Sequence, residues 1–425
     1  MIKVLLMSSP TSDGFKAFGV NKRVAGGGWA ENLICKLKEC DDLEISLFFY
    51  SDTAPDVRRA QFNGVTYYAV PIRVPGLRSC SDAMVEDMRK VLSLSNPDVV
   101  HIIGTEREHN LRMLELAGAD RTVCSITGLT SICALHYFGG IDYSFMRRIS
   151  IGDCLRRGGP IKERDLFAKW GVYEKKTIAT ARYIMGRTTW DYACVKKINP
   201  DVEYIYCGEV LNPCFYEKFW DVETKVRHQI FVSQASYPLK GFHMLLEALP
   251  YLLAKYSDCS VYVAGPNMME ANEFIGKIRQ TTYSKYLIRR MKELDIPKQC
   301  IHFTGALDAM GMLQRYMSCN VFVLPSAIEN SPNSLGEAMS LGVPCVASCV
   351  GGVQDMLRDK VDGFIYPFNE PYMMAYYIEQ FFESDELCSQ MGYHARENAA
   401  VRFNAREVVK TTLQVYRTIV KNRRC

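Results

Sequence analysis

The chain has 425 residues, 48% of them hydrophobic and 23% charged, with a formal net charge of +4. That length suits two domains of ordinary size, and that balance suits a globular protein with a core of normal density. A net charge this small excludes nucleic-acid binding by bulk positive charge. Sixteen scattered cysteines without a C-x-x-C pair exclude a small disulfide scaffold.

Residues 2–8 read as a buried strand bounded by Pro10 and Gly14. The segment "GGGWAENLICKLKE" follows, three glycines and then a helical pattern. "LEISLFFY", "VTYYAV", "PDVVHIIG", "RTVCSITG" and "ARYIMGRT" are short β-rich runs, with helical segments such as "SDAMVEDMRKVLSLS" between several of them. Alternating strands and helices predict a parallel sheet covered on both faces. The pattern lapses around "EVLNPCFYEKFWDVETKVRHQ", which marks a domain boundary. A second series then runs through "IFVSQAS", "CSVYVAG", "IHFTG", "VFVLPS", "PCVAS" and "GFIYP". The fold class is therefore α/β, as two tandem domains. "EFIGKIRQTTYSKYLIRRMKEL" is expected to be one long surface helix, an insertion relative to a minimal doubly wound domain.

The first residues, "MIKVLLMSSP", hold an apolar stretch too short for a signal peptide or a membrane span, and no later run is long enough to span. A soluble or peripheral protein with reduced, core-filling thiols is expected. Charge is unevenly placed. Residues 146–197 carry 13 Lys/Arg against 5 Asp/Glu, a local +8 that leaves the rest of the chain at −4. Such a cluster attracts anions, with lipid headgroups or a phosphorylated acceptor as the candidates, unless it is only a solvated helical face.

The stretch "SAIENSPNSLGEAMSLGVPCVAS" carries the chemistry. "VFVLPS" is a strand, so the residues after it form the loop at its carboxyl end, where open parallel sheets bind ligands. Pro332 cannot sit inside a helix, so Asn333 or Ser334 is expected to cap one that runs over 335–341 and stops at Gly342. The unpaired first amides and the helix dipole make an anion site, to which the Ser334 and Leu335 amides contribute. Glu337 is expected in the first turn, with Glu329 approaching from the loop. A diphosphate attached to sugars matches one anion site flanked by two hydroxyl acceptors. A charge pair at a helix start explains either glutamate alone, but not the whole order of strand, glutamate loop, cap, glutamate and Gly-Val-Pro.

On these residues the chain resembles the family 4 retaining glycosyltransferases of GT-B fold. "SQASYPLKGFHMLLEALPYLL", "VYVAGPN", "GGGWAENLICKLKE", "PDVVHIIG" and "RFNAREVVKTTLQVYRTIV" extend the resemblance over essentially the whole chain, most weakly near 130–175. It implies two Rossmann-like domains facing a cleft. Residues 1–210 would bind the acceptor and 228–404 the sugar nucleotide, with 405–425 crossing back to the first domain. It further implies that Glu337 accepts from the donor ribose, Glu329 lies near the hexose hydroxyls, and Lys240 lies at the diphosphate, with Ser236 nearby. Gly27 and Gly28 would let the backbone approach the phosphates. The implied reaction moves a hexosyl group from a nucleotide sugar, a UDP-sugar, to a hydroxyl of a lipid-linked or oligosaccharide acceptor, with retention and no cofactor. The setting would be capsule, exopolysaccharide or lipopolysaccharide assembly, in the cytoplasm or on the inner face of the cell membrane.

Two departures stand out. Ala235 occupies the position of the family's arginine, and Arg187 is the candidate replacement. Thr127 and Gly128 stand where the family often has a histidine, for which His101 or His109 could substitute, although a packed, satisfied His101 is the commoner outcome. No D-x-D and no clustered His/Cys set occurs, so no metal is expected. Trp29 could stack on a sugar, and Asp355 could support the site from the helix expected after Gly351 and Gly352. The alternative reading is a non-catalytic sugar-nucleotide-binding protein of the same fold. A nicotinamide oxidoreductase would need G-x-G-x-x-G, which "GGGWAEN" does not supply.

Overall fold

The computed structural model describes residues 1–20, 28–155, 158–269, 278 and 280–424. It divides into two compact units: residues 1–131, 169–212 and 403–425 form the first, and 132–168 with 213–402 form the second. Gly27, Arg156 and Arg157, singled out above or within the basic run, lie outside the described residues.

The first unit holds an eight-stranded sheet: β1 (Ile2–Met7), β2 (Leu43–Ser51), β3 (Arg58–Phe62), β4 (Val65–Pro71), β5 (Val99–Ile103), β6 (Thr122–Ser125), β7 (Tyr183–Gly186) and β8 (Glu203–Tyr206). Their spatial order is β3-β4-β2-β1-β5-β6-β7-β8. Every neighbouring pair is parallel except β3 with β4. The order reverses direction at β1, whose neighbours are β2 and β5. The central strands are continuous apolar runs because helices cover both faces of a parallel sheet. The edge strand β3 is largely exposed, "RRAQF", with no apolar run to announce it. The closing helix Ala405–Arg424 packs in this unit: Val408, Val415, Tyr416 and Ile419 join Val4, Leu6 and Val99 in one core.

The second unit holds a six-stranded parallel sheet: β9 (Gln229–Val232), β10 (Ser260–Val263), β11 (Ile301–Phe303), β12 (Val321–Leu324), β13 (Cys345–Ser348) and β14 (Phe364–Tyr366). The order is β11-β10-β9-β12-β13-β14, so β9 and β12 flank the point where the connections change side. A crevice outside the carboxyl ends of such strands is where open α/β sheets take ligands. Of the expected long helix, residues 273–277 and 279 lie outside the described residues; a helix runs from Thr282 to Glu293, where the Thr281 hydroxyl accepts from the Ser284 amide and caps it.

Candidate functional site

The loops that leave β9 and β12 are tied to each other. The Ala327 amide donates to the Leu239 carbonyl at 2.8 Å. Gly241, at φ 67°, closes against Pro325, and a Cβ there would lie 1.6 Å from the Pro325 carbonyl oxygen. Only glycine permits that approach. This contact brings Lys240, the last residue of the turn Pro238–Lys240, beside the loop after β12. Its Nζ donates to Glu329 Oε1 at 2.6 Å, and the Ser326 hydroxyl donates to the same oxygen at 2.7 Å. The two charged side chains are 20% and 12% exposed, so the pair is largely buried. Burial opposes the charge on Lys240, but the Glu329 carboxylate outweighs it and holds the ammonium above its ordinary value.

The backbone of Glu329 is fixed from the other side. The Gly352 amide donates to the Glu329 carbonyl at 3.0 Å, and Gly351, at φ 52°, leaves room for it; a Cβ at Gly351 would come within 1.9 Å of that oxygen. The Ser348 hydroxyl, at the end of β13, donates to the Ser326 carbonyl at 2.6 Å. Gly351 and Gly352 therefore form a turn that grips the Glu329 loop. Only the short turn Val353–Asp355 follows them, not the helix expected there.

The helix after β12 runs from Asn333 to Leu341 and ends on Gly342 at φ 78°. Its N-cap is Pro332, with no side-chain capping bond, so Asn333 and Ser334 stand inside the first turn rather than capping it. Proline suits this start because the helix's first amides have no intrahelical acceptor in any case. The Leu335 and Gly336 amides reach back to the Pro332 carbonyl at 3.0 and 3.2 Å. Glu337 is thus the fifth residue of the helix, two residues deeper than expected. The Tyr316 hydroxyl lies 3.0 Å from Glu337 Oε2 and 3.0 Å from the Ser334 carbonyl. Burial, with the Glu337 carboxylate beside it, keeps that phenol well above its ordinary range, so it remains a donor.

The second unit thus pairs Lys240 with Glu329 across the loops after β9 and β12, and the helix that follows β12 carries Asn333, Ser334, Leu335 and Glu337. Ser236 is exposed in the loop after β9, where its hydroxyl accepts from the Gln234 amide group at 3.1 Å. Sequence reasoning gave no role to Tyr237, Ser326 or Tyr316. The Tyr237 ring lies 6.0 Å from the Lys240 ammonium and stacks on Tyr137 at 6.2 Å. Its adjacency to Lys240 was the available signal; the Tyr137 contact spans a hundred residues and left none.

The remaining expected residues belong to the first unit. His101 is fully buried on β5, with its two ring nitrogens 2.7 Å from the Tyr416 and Ser125 hydroxyls. Burial lowers its pKa to about 4, so it is a neutral core residue. His109 is also buried, with its pKa lowered to about 3. Arg187 Nη1 pairs with Glu209 Oε1 at 2.7 Å, and both side chains are almost wholly buried. That pairing holds the guanidinium within the first unit. Thr127 is exposed in the loop beyond β6, and Gly28 opens the helix Gly28–Leu37.

Comparison with known proteins gives these features a setting. Residues 217–398 match the family model "Glycosyl transferases group 1". The chain is 24% identical to an uncharacterized glycosyltransferase of Methanocaldococcus jannaschii over 93% of its own length and 95% of that protein. A putative glycosyltransferase of Bacillus subtilis is 25% identical over 48% of each chain, so the match spans about half the length of that relative. Among solved structures, a sucrose-phosphate synthase of Thermosynechococcus elongatus aligns with a TM-score of 0.71 at 14% identity, covering 99% of both chains. Anabaena HepE, solved in complex with UDP and glucose, aligns with a TM-score of 0.63 at 15% identity, covering 98% of this chain and 99% of that one. The fold is that of the GT-B glycosyltransferases.

Proposed function

We propose, from the match of residues 217–398 to the group 1 glycosyl transferases, that the chain transfers a hexosyl group from a nucleotide sugar to a hydroxyl acceptor with retention of configuration. The observation that carries the reading is the Lys240–Glu329 pair at 2.6 Å, which joins the loop after β9 to the loop between β12 and the helix Asn333–Leu341. The helix amides and Lys240 supply positive charge for a diphosphate, and Glu337 supplies an acceptor for ribose hydroxyls. UDP is the favoured carrier, by likeness to the Anabaena protein solved with UDP and glucose.

In the free protein Lys240 and Glu329 neutralise each other. A bound donor shifts Lys240 toward the phosphates, and Glu329 then accepts from a sugar hydroxyl in its place. As the glycosidic bond breaks, charge develops on the leaving diphosphate, which is where a fixed ammonium lowers the barrier most. Attack from the same face as the departing phosphate accounts for retention, with the phosphate oxygen taking the acceptor proton. Lys240 and the amides make a metal unnecessary in this scheme. Gly27 and Gly28 would let the backbone approach the phosphates, and Thr127 would stand on the acceptor side. The acceptor domain is read within residues 1–210 and the donor domain within 228–404, although residues 132–168 pack in the second unit. The acceptor is a lipid-linked or oligosaccharide hydroxyl of cell-surface polysaccharide assembly, at the cytoplasmic face of the membrane.

The test is a product assay with a panel of nucleotide sugars and a lipid-linked or oligosaccharide acceptor, with the anomeric configuration read by NMR. A product with inverted configuration contradicts the mechanism. Donor binding without any transfer supports the non-catalytic alternative.

A further inference from the structure

The second unit carries a surface that the donor site does not use. The residues between the helices Tyr143–Met146 and Ile151–Leu155, together with those helices, leave Tyr143, Ile149, Ile151 and Leu155 exposed at 53, 69, 59 and 62%. Single exposed apolar residues are ordinary. Four within thirteen positions, beside the exposed Arg147 and Arg148, are not.

This segment is fastened to a helix far away in the chain. Asp153, 1% exposed, accepts from the Thr282 amide at 3.2 Å and from its hydroxyl at 2.6 Å. The same hydroxyl lies 2.6 Å from the Arg148 carbonyl. The Phe145 and Tyr286 rings meet at 5.2 Å, and the guanidinium carbons of Arg148 and Arg289 lie 5.1 and 6.0 Å from the Phe145 ring. The basic helix Thr282–Glu293 therefore adjoins the exposed aliphatic residues. Arg289 and Arg290 are paired with Glu293, and Arg290 also with Glu247. Arg147, Arg148, Lys285 and Lys292 are exposed and make no ion pair among the described residues.

Folding gains nothing by holding aliphatic side chains in water or by gathering unpaired cations of one sign. Both costs are relieved together by one kind of surface. We propose that residues 143–155 and the helix Thr282–Glu293 form a docking surface for an anionic lipid bilayer. Ile149, Ile151 and Leu155 enter the boundary between headgroups and acyl chains, and Arg147, Arg148, Lys285 and Lys292 meet the lipid phosphates. An acidic protein would satisfy the cations but leaves the aliphatic residues without a role. The proposal rests on the reading that places the transferase at a membrane and deepens it with residues that lie outside the Lys240–Glu329 site.

The experiment is co-sedimentation of the full chain with vesicles of phosphatidylcholine alone and of phosphatidylcholine mixed with phosphatidylglycerol. Binding to the anionic vesicles only is expected, weakening as salt rises. Two variants divide the contributions: Ile149→Ser/Ile151→Ser/Leu155→Ser, and Arg147→Ser/Arg148→Ser. Each is expected to reduce partitioning about tenfold or more. Calorimetric titration with UDP reports whether each variant keeps its fold and donor site, so a failed donor site and a failed surface read differently. No binding to anionic vesicles, equal binding to both kinds, or unchanged binding by both variants overturns the proposal. Release by inorganic phosphate beyond that caused by chloride at equal ionic strength also overturns it, in favour of a site for free phosphate.

Discussion

In the proposed reaction Lys240 concentrates the chemistry, and its surroundings make its removal informative. It is largely buried beside Glu329 and Tyr237 and is held above its ordinary pKa. A raised pKa means its charge, and the stability drawn from pairing with Glu329, are fully present below the ordinary lysine value of about 10.4. That contribution is lost only as pH rises beyond it, so no activity loss near neutrality traces to this group. Lys240→Met should lower kcat by about 10²-fold or more, the scale of losing one fixed charge at the leaving group. KM for the donor should move much less, and steady-state kinetics separate the two. A variant with unchanged kcat would remove Lys240 from the reaction. Such residues were legible for a reason: glutamates, a lysine and a proline at fixed intervals after an apolar strand admit few structural explanations. Ser326 and Tyr316 were not legible, because their roles depend on partners that only the fold brings near, Glu329 for one and Glu337 for the other.

The strands were read well where burial demands continuous apolar runs, as in "VFVLPS" and "LEISLFFY". They were missed where burial is partial. β3 is an exposed edge, and β8, "EYIY", alternates too briefly to stand out. The start of the helix Asn333–Leu341 was placed two residues late because asparagine and serine are favoured caps, whereas here proline opens the helix. The glycine pair after β13 was read as a helix opening, although its work is to admit the Glu329 carbonyl. That work can be measured. Gly351→Ala combines a positive φ with a Cβ 1.9 Å from a backbone oxygen, so the loop must move. A loss of about 1–3 kcal/mol in stability is expected, together with weaker donor binding because Glu329 shifts. Thermal melting and calorimetry check both. An unchanged melting temperature would show that the turn relaxes freely and does not hold the site.

Across the chain, buried histidines set the response to acid. His101 in the first unit and His243 in the second are fully enclosed, and burial lowers both to about 4. His243 Nε2 donates to the Gly139 carbonyl at 2.7 Å and Nδ1 accepts from the Tyr283 hydroxyl at 3.1 Å, an arrangement that needs the neutral ring. Folded values below the unfolded one of about 6.5 mean that this stability is present above pH 6.5 and is lost as pH falls toward 4. The loss is at most about 1.4 kcal/mol per pH unit for each group. Melting temperature should therefore drop between about pH 7 and about pH 5. The drop should be smaller in His243→Gln, and an equal drop would assign acid sensitivity elsewhere. Turnover, by contrast, should survive exhaustive chelation with EDTA if, as proposed, Lys240 and the helix amides carry the diphosphate; rescue by magnesium or manganese after complete loss would contradict that. The central claim is narrower still, that Glu337 holds the ribose and Lys240 the diphosphate of one nucleotide-sugar donor. Its most direct test is isothermal titration of UDP and of UDP-sugars into the native chain and into Glu337→Ala. The account predicts binding by the native chain and a loss of roughly 1.5–3 kcal/mol in the variant, the value of a hydrogen bond to a charged acceptor. The Ser334 carbonyl still accepts from Tyr316, so the fold should persist. Equal affinity of the two proteins for every ligand would place the donor elsewhere and contradict the account.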